Sequence, residues 1–520
     1  QVGNEARVAG LYRVRGFSQR RPHHTTHHMG SRVSLLLPLL WAALLLWVAA
    51  AAHAAITRTA LDDYVERPDP TYKWTLNDTV VTAEYTVYWI HLVSQTWLTP
   101  ADSSKPVWDH WLSILVPFGA TSDNCFVYIT GDGNRDKHED VDPLSQIIGV
   151  QANSVVAELY QIPNEPIYFA DNKRRTEDAI IAYTWRHFIE NPDEPDWLLR
   201  LPMTKAVVRA MDAVQEFSRQ HSNVPDINHF VVGGASKRGW TTWTVGAVEY
   251  DKRVIAIVPI VMDALNLVKN VNHMWQAYGF WSFAWEDYEA ENITVYLNDP
   301  RFQQMADIID PYSYRERLTM PKYVIDAAGD EFFLPDDANY WWDDMPGPKH
   351  MRMVADAEHS LVGHQIDVSL AVTTFYRSIM LKKPIPTFDW TRDPETGKIV
   401  VTMGDKKPYQ VLKWHATNHK ARDFRLVICD KVDPKCLQPI IWTYNALTPQ
   451  ADGTYVAEME APQQGFTGFF VEVIFLADDL GMAGEHFFKF TTQVSIIPNI
   501  LPFPPCGNPC VGGLQKPMEQ

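Results

Sequence analysis

The chain has 520 residues, 46% of them hydrophobic, with 19 tryptophans and a formal net charge of −17. That length predicts two or three units rather than one compact domain, with ample apolar material for a sizeable core. The acidic balance argues against nucleic acid or an anionic membrane surface as partner, since either needs a basic face.

The first methionine is Met29, and the residues before it, ending in RRPHHTTHH, have no apolar period. Residues 1–28 read as an upstream leader outside native coding sequence, with an incidental histidine run. From Met29 the pattern changes. Arg32 supplies a positive start, SLLLPLLWAALLLWVAAAA an apolar core, and Ala52-His53-Ala54 a small-residue cleavage site. Residues 29–54 therefore read as a secretory signal peptide, with a signal anchor as the alternative. No later segment is apolar for long enough to span a bilayer. A secreted, extracellular destination lets the cysteines be read as disulfides. Cys429 and Cys436 flank a short polar loop and suit a hairpin bridge. Cys506 and Cys510 share the tight turn PPCGNPC, and Cys125, opening a buried strand, is left over as a free thiol. Asn77 (NDT) and Asn292 (NIT) are glycosylation sequons. No cysteine–histidine spacing fits zinc, so neither metal nor cofactor is expected.

Residues 55–383 alternate between strand-like and helix-like runs. EYTVYWIHLVSQTW and WDHWLSILVPF read as antiparallel strands opening a sheet, and CFVYI and SVVAELYQI as buried strands around an amphipathic DPLSQIIGVQAN. RTEDAIIAYTWRHFI and LPMTKAVVRAMDAVQEF carry apolar residues at helical spacing. This alternation predicts an α/β unit, a mostly parallel sheet with helices on both faces. The run VVGGASKRGW then has the layout of a nucleophile elbow, in which a buried strand turns sharply into a helix and presents Ser236. Arg238 stands two residues after the serine, where glycine is usual. The competing assignment makes Ser236 an ordinary helix N-cap.

Two buried strands follow, RVIAIVPIVMD and PKYVIDAAGD, and then HMRMVADAEHS. Asp330 and His359 lie just beyond the last two, giving the chain order serine, acid, histidine of α/β-hydrolases. The serine needs a base to take its proton, and the base needs a carboxylate to orient it. Asp263 is the rival acid, and His350 and His364 are the other histidines nearby. An oxyanion hole would draw one N–H from Lys237 and another from the loop Gly131-Asp132-Gly133 after CFVYI, which is otherwise a plain turn. Arg238, too costly to bury unpaired, should find Glu177 or Asp178. The aromatic excursion at about 264–318 reads as an inserted lid over the active site, lined by Trp275, Tyr278, Trp281 and Trp285, unless these rings only pack it against the sheet.

After Lys383 the proline-rich PIPTFDWTRDPETG reads as a linker. KIVVTM, YQVLKWHAT, FRLVICD, TYVAEME and FTGFFVEVIF then predict a C-terminal all-β sandwich over 384–500, followed by a poorly ordered tail at 501–520.

The stretches SQTWLTP, VWDHWLSILVP, QIPNEPIYF, RTEDAIIAYTW, GASKRGWTTW, DPYSYRERLTMPKYVIDAAGDEFFLPDD and RDFRL are specific markers. Through them the chain resembles the PhoPQ-activated pathogenicity-related family, which also contains proliferation repressors of amoebae, from about Asp63 to about Pro498. The resemblance implies an α/β-hydrolase fold and Ser236, Asp330 and His359 as the triad. It leaves the substrate undefined, and Asp132 departs from the family's more glycine-rich loop. The leading expectation is a secreted serine hydrolase acting on an ester or peptide substrate. The alternative is a secreted signalling or proliferation-repressor protein that meets a cell-surface or secreted partner with little or no turnover.

Overall fold

Strong apolar runs that alternate with helices leave few ways to bury both faces of a sheet. The computed structural model describes residues 57–430 and 433–515; the expected leader and signal peptide, and the end of the expected tail, lie outside them. The first strands are β1 (Lys73–Val81), β2 (Tyr85–Thr96), β3 (Val107–Pro117), β4 (Asn124–Ile129) and β5 (Val155–Leu159). A short ribbon of β6 (Ile167–Tyr168) and β7 (Arg174–Arg175) precedes β8 (His229–Ala235), β9 (Val254–Ile260), β10 (Lys322–Ala327) and β11 (Lys349–Val354). All but the ribbon form one nine-stranded sheet in the order β1-β2-β3-β5-β4-β8-β9-β10-β11. The strands from β5 to β11 run parallel, and β3 is antiparallel to both neighbours. This order, with its antiparallel second core strand and its β5/β4 exchange, is the α/β-hydrolase arrangement.

The central strands read as continuous apolar runs because both faces are covered. Helices Pro143–Ala152 and Gln365–Met380 pack together on one face, while Ala60–Glu66, Arg200–Gln220 and Lys237–Val248 pack together on the other. β1 escapes the sequence pattern because it is an edge strand exposed along nearly its whole length, so no apolar alternation marks it. Asn77 lies on this strand and is exposed, as is Asn292 in the insertion.

The insertion between β9 and β10 is helical, with Leu267–Tyr278, Glu286–Ala290 and Pro300–Ile309 joined by 3-10 turns. Beyond the sheet come β12 (Phe388–Arg392), β13 (Ile399–Met403), β14 (Gln410–Asn418), β15 (Thr443–Ala446), β16 (Tyr455–Ala457), β17 (Phe466–Leu476), β18 (Phe487–Thr491) and β19 (Ser495–Ile497). They form two antiparallel sheets, β12-β13-β16 and β15-β14-β17-β18, with β19 also on β17. These pack on the far edge of the large sheet. The Tyr323 hydroxyl donates to the Lys489 carbonyl at 2.7 Å, and Met353 N–H donates to Thr491 Oγ1 at 2.9 Å.

Three local expectations change. The proline-rich linker contains β12, because Phe388 and Trp390 turn into the aromatic packing. FRLVICD is not a strand: Leu426 N–H donates to the Gly329 carbonyl at 2.8 Å, and only an isolated bridge joins Val427 to Leu437. Residues 501–515 are not a loose tail. Trp281 N–H donates to Gly513 O at 3.0 Å, Gln515 N–H to Trp281 O at 2.8 Å, and Cys510 N–H to Val295 O at 3.2 Å, so this segment is strapped across the insertion. Cys429 is bonded to Cys436, Cys506 is bonded to Cys510, and Cys125 is free and buried. Among the described residues no helix is long and apolar enough to cross a membrane.

Candidate active site

Ser236 sits between β8 and the helix Lys237–Val248 at φ 58° and ψ −127°, a strained position for a residue with a side chain. That turn lifts its hydroxyl off the end of the sheet. The close approach that usually demands glycine two residues on is shifted by one. A Cβ on Gly239 would come within 2.7 Å of the Ile260 carbonyl oxygen, so Gly239 lets the helix press against β9. Arg238 is thereby free to point away from the sheet.

His359, on the loop after β11, lies with Nε2 2.8 Å from Ser236 Oγ and Nδ1 2.7 Å from Asp330 Oδ2. The other Asp330 oxygen accepts the amides of Phe332 (2.7 Å) and Phe333 (3.2 Å), which fixes the carboxylate. Burial pulls the His359 pKa down, but the Asp330 carboxylate overrides it and holds the imidazole above its usual value. The rivals fall elsewhere. Asp263 is buried with neither oxygen hydrogen-bonded, and burial, with Asp337 and Asp330 nearby, raises its pKa well above the carboxylate range. His350 is on β11, and His364 caps the helix Gln365–Met380.

Arg238 forms a two-pronged pair with Glu177, Nη1 to Oε2 at 3.0 Å and Nη2 to Oε1 at 2.7 Å, and its Nε donates to the Ile162 carbonyl at 2.5 Å. The Lys237 ammonium joins the same cluster, 2.7 Å from Glu177 and 3.0 Å from Asp178. Burial alone would raise the Glu177 pKa, but Lys237 and Arg238 bring it down to about 2. Glu165, whose carboxylate accepts the Glu177 amide at 2.7 Å, goes the other way, to about 7, through burial and repulsion from Glu177.

The loop expected to supply the second oxyanion donor is occupied differently. A Cβ on Gly131 would overlap the Arg238 guanidinium. Asp132 at φ 104° pairs with Arg135 and accepts the Gly133 amide. None of the three lines the cavity that holds Ser236; Gly131 and Asp132 border a separate open basin. Lys237, by contrast, lines that cavity directly beside the serine.

The Ser236 cavity is small, about 40 Å³, and walled by Trp185, Trp240, Met262, Trp285, Tyr288 and Phe332, among others. Of the four aromatic residues expected in the lid, Trp285 alone reaches it. Trp275 and Trp281 pack against the strap, where a Cβ on Gly512 would overlap the Trp275 ring, and the Tyr278 ring lies under the Arg425 guanidinium at 4.7 Å. Their spacing could not separate rings facing substrate from rings facing the strap, because the strap is more than 200 residues away in sequence.

The signature of the PhoPQ-activated pathogenicity-related proteins matches residues 61–425. The chain belongs to this family. It is 46% identical over 478 residues to Autocrine proliferation repressor protein A of Dictyostelium discoideum, a match covering 89% of this chain and 95% of that protein. Among solved structures it is similar to acetyl xylan esterase 1 from Thermoanaerobacterium sp. JW/SL YS485 (14% identity, 62% of this chain and 93% of that one, TM-score 0.40). It is also similar to an S-formylglutathione hydrolase from Agrobacterium tumefaciens (12% identity, 60% and 100%, TM-score 0.38).

The family match extends past the large sheet to Arg425, and the structure gives that extension a job that sequence reasoning missed. Arg422 binds Asp336 (Nη2 to Oδ2 2.5 Å) and lies 3.2 Å from His273, whose other nitrogen meets Asp337 at 2.8 Å. Arg425 pairs with Asp423 at 2.6 Å and reaches Ser282 at 3.2 Å. A Cβ on Gly329 would meet Leu426 at 2.8 Å, so this segment packs flush against the residue preceding Asp330. RDFRL thus ties the acid loop, the insertion and the antiparallel sheets together. A run of two arginines and an aspartate in an apolar context was the only signal in the sequence.

Proposed function

We propose that this family member is a secreted serine hydrolase of the esterase or peptidase type. The observation that carries the proposal is the continuous relay from Ser236 through His359 to Asp330, held on a positive-φ elbow. His359 Nε2 takes the serine proton as Ser236 Oγ bonds to the substrate carbonyl carbon, and Asp330 stabilises the imidazolium. The Lys237 N–H, next to the nucleophile, faces the oxygen on which negative charge develops. Collapse expels the leaving group with the proton from His359. Water, activated by the same imidazole, then releases the acyl group. The Ser236 cavity is tight, aromatic and largely apolar, which favours a short acyl group over a bulky one. Secretion is supported by the two disulfides and by the signal sequence expected over 29–54, and the exposed Asn77 and Asn292 are then available for glycosylation.

A second reading, a secreted proliferation-repressing signal on a hydrolase scaffold, is favoured by the name of the 46% identical relative. A fluorophosphonate probe separates the two. Covalent labelling at Ser236, lost in Ser236→Ala and reduced by about 10³-fold or more in His359→Ala, is the expected result. The labelling rate should fall as pH drops through a value above the ordinary histidine range, because the neutral imidazole is the base and Asp330 holds its proton on. A folded protein with no labelling at any pH sinks the hydrolase reading in favour of the signalling one.

A further inference from the structure

A second cavity of about 380 Å³ lies at the opposite end of β11 from the loop that carries His359, between that strand and the antiparallel sheets. It has the volume of a small-molecule site, which ranges over about 300–1,000 Å³. Its wall contains a group that the rest of the fold leaves unexplained. His350 is 8% exposed, its ring stacks on Phe490 at 4.4 Å, and neither nitrogen has a hydrogen-bond partner among the described residues. Among the described residues the other buried histidines have partners: His110 bonds Ser94, His273 bonds Asp337, and His486 bonds the Ala483 carbonyl. The His350 nitrogens are not sealed off from solvent, so the cavity gives access to them and a ligand there would take the place of water as their hydrogen-bond partner.

The remaining wall is mixed. Trp342 also lines the cavity, its indole N–H without a hydrogen-bond partner among the described residues, and Asp343 and Asp389 are exposed at its edge with no hydrogen bond or salt bridge among the described residues. Trp390 stands half-buried beside them, 5.8 Å from Trp342. The cations nearby are engaged: Lys349 Nζ binds the Trp342 and Met345 carbonyls, and Lys322 Nζ binds the Pro346 carbonyl at 2.6 Å. Burial, with Lys322 nearby, lowers the His350 pKa to about 4, so at neutral pH its imidazole both donates and accepts.

We propose that this cavity is a binding site for a neutral sugar ring, with His350, Trp342, Asp343 and Asp389 meeting its hydroxyls and Trp390 its apolar face. An anion would face two carboxylates, while among the described residues lining the cavity the cation, Lys349, is already bound to carbonyls. An amine would meet the Lys349 ammonium, which already lies 5.2 Å over the Trp342 ring. A polyol that offers hydrogens to carboxylates, exchanges hydrogen bonds with a neutral imidazole and presents a C–H face to an indole satisfies every group. The inference stands on this cavity and is independent of the reaction at Ser236.

Isothermal titration of the full chain with xylobiose, cellobiose and maltose tests it, with spermidine as the competing chemistry. At least one disaccharide should bind with a Kd of about 1 mM or tighter. Asp389→Asn, a change on an exposed side chain, and Trp390→Ala should each weaken it tenfold or more. Melting temperature and Ser236 labelling in Asp389→Asn should match the parent protein. No binding of any disaccharide at about 10 mM, binding indifferent to both substitutions, or spermidine binding in place of sugar overturns the proposal.

Discussion

The two sides of Ser236 handle buried charge in opposite ways. On the elbow side, Lys237 and Arg238 face Glu177 and Asp178, cation against carboxylate, with bonds of 2.7 to 3.0 Å. On the acid side, Asp263, Asp326, Asp330, Asp336 and Asp337 are all buried, and Arg422 is the guanidinium that binds among them. His273 adds no charge at neutral pH, since burial takes its pKa to about 4 despite Asp336. The first side holds its charges by pairing, while on the second burial favours the neutral acid. Burial and mutual repulsion push Asp263, Asp326 and Asp337 well above the carboxylate range, while Asp336, though buried, is brought below it by Arg422. Pairing suits the elbow, where position must be rigid. On the other side Asp330 receives the His359 hydrogen bond.

The sharpest way to break this contrast is at Arg422. Arg422→Ala should strand Asp336 among other aspartates and cost about 3–5 kcal/mol, the usual penalty for breaking a buried pair. Urea unfolding measures it. A loss below about 1 kcal/mol would mean that the acid side holds without its guanidinium. Labelling of Ser236 should slow as well, because the same segment packs against Gly329.

On the elbow side the effect should be smaller. The Glu177 side chain is 37% exposed, so solvent screens part of the pair. Arg238→Ala should cost about 1–2 kcal/mol and lower the labelling rate together with stability. If turnover is lost at unchanged melting temperature, Arg238 is a substrate contact rather than a brace.

The smallest change is expected at Asp263, and its sign is the informative part. A carboxyl whose folded pKa is raised contributes stability below its unfolded pKa, and this is lost as pH climbs towards the folded value. Asp263→Asn mimics the protonated acid. It should therefore match or slightly exceed the parent in melting temperature at pH 7, with the gap closing near pH 4. A substantial loss at pH 7 would show that Asp263 is ionised, and the protonation account of this side would fail.

Much of this was legible in the chain itself. The buried runs before Ser236, Asp330 and His359 predict parallel strands, and their order places the three residues at one end of a sheet. Arg238 at an unusual position predicts an acidic partner, because a buried guanidinium has few alternatives. These inferences work because burial and charge pairing leave strong local marks: apolar periodicity for one, a misplaced charge for the other.

What the sequence by itself determined was the buried core strands, the elbow turn, and the positions of Ser236, Asp330 and His359 just beyond strand ends, since each strand and turn rests on a pattern within about twenty residues. The tertiary structure alone decided which aromatic rings face Ser236, that Gly131 makes room for Arg238, that RDFRL abandons strand pairing to brace Gly329, and that residues 501–515 strap the insertion. The physical reason is common to all four. Each is a contact between segments far apart in the chain, where side-chain type states what a residue can bind but not which surface arrives to meet it.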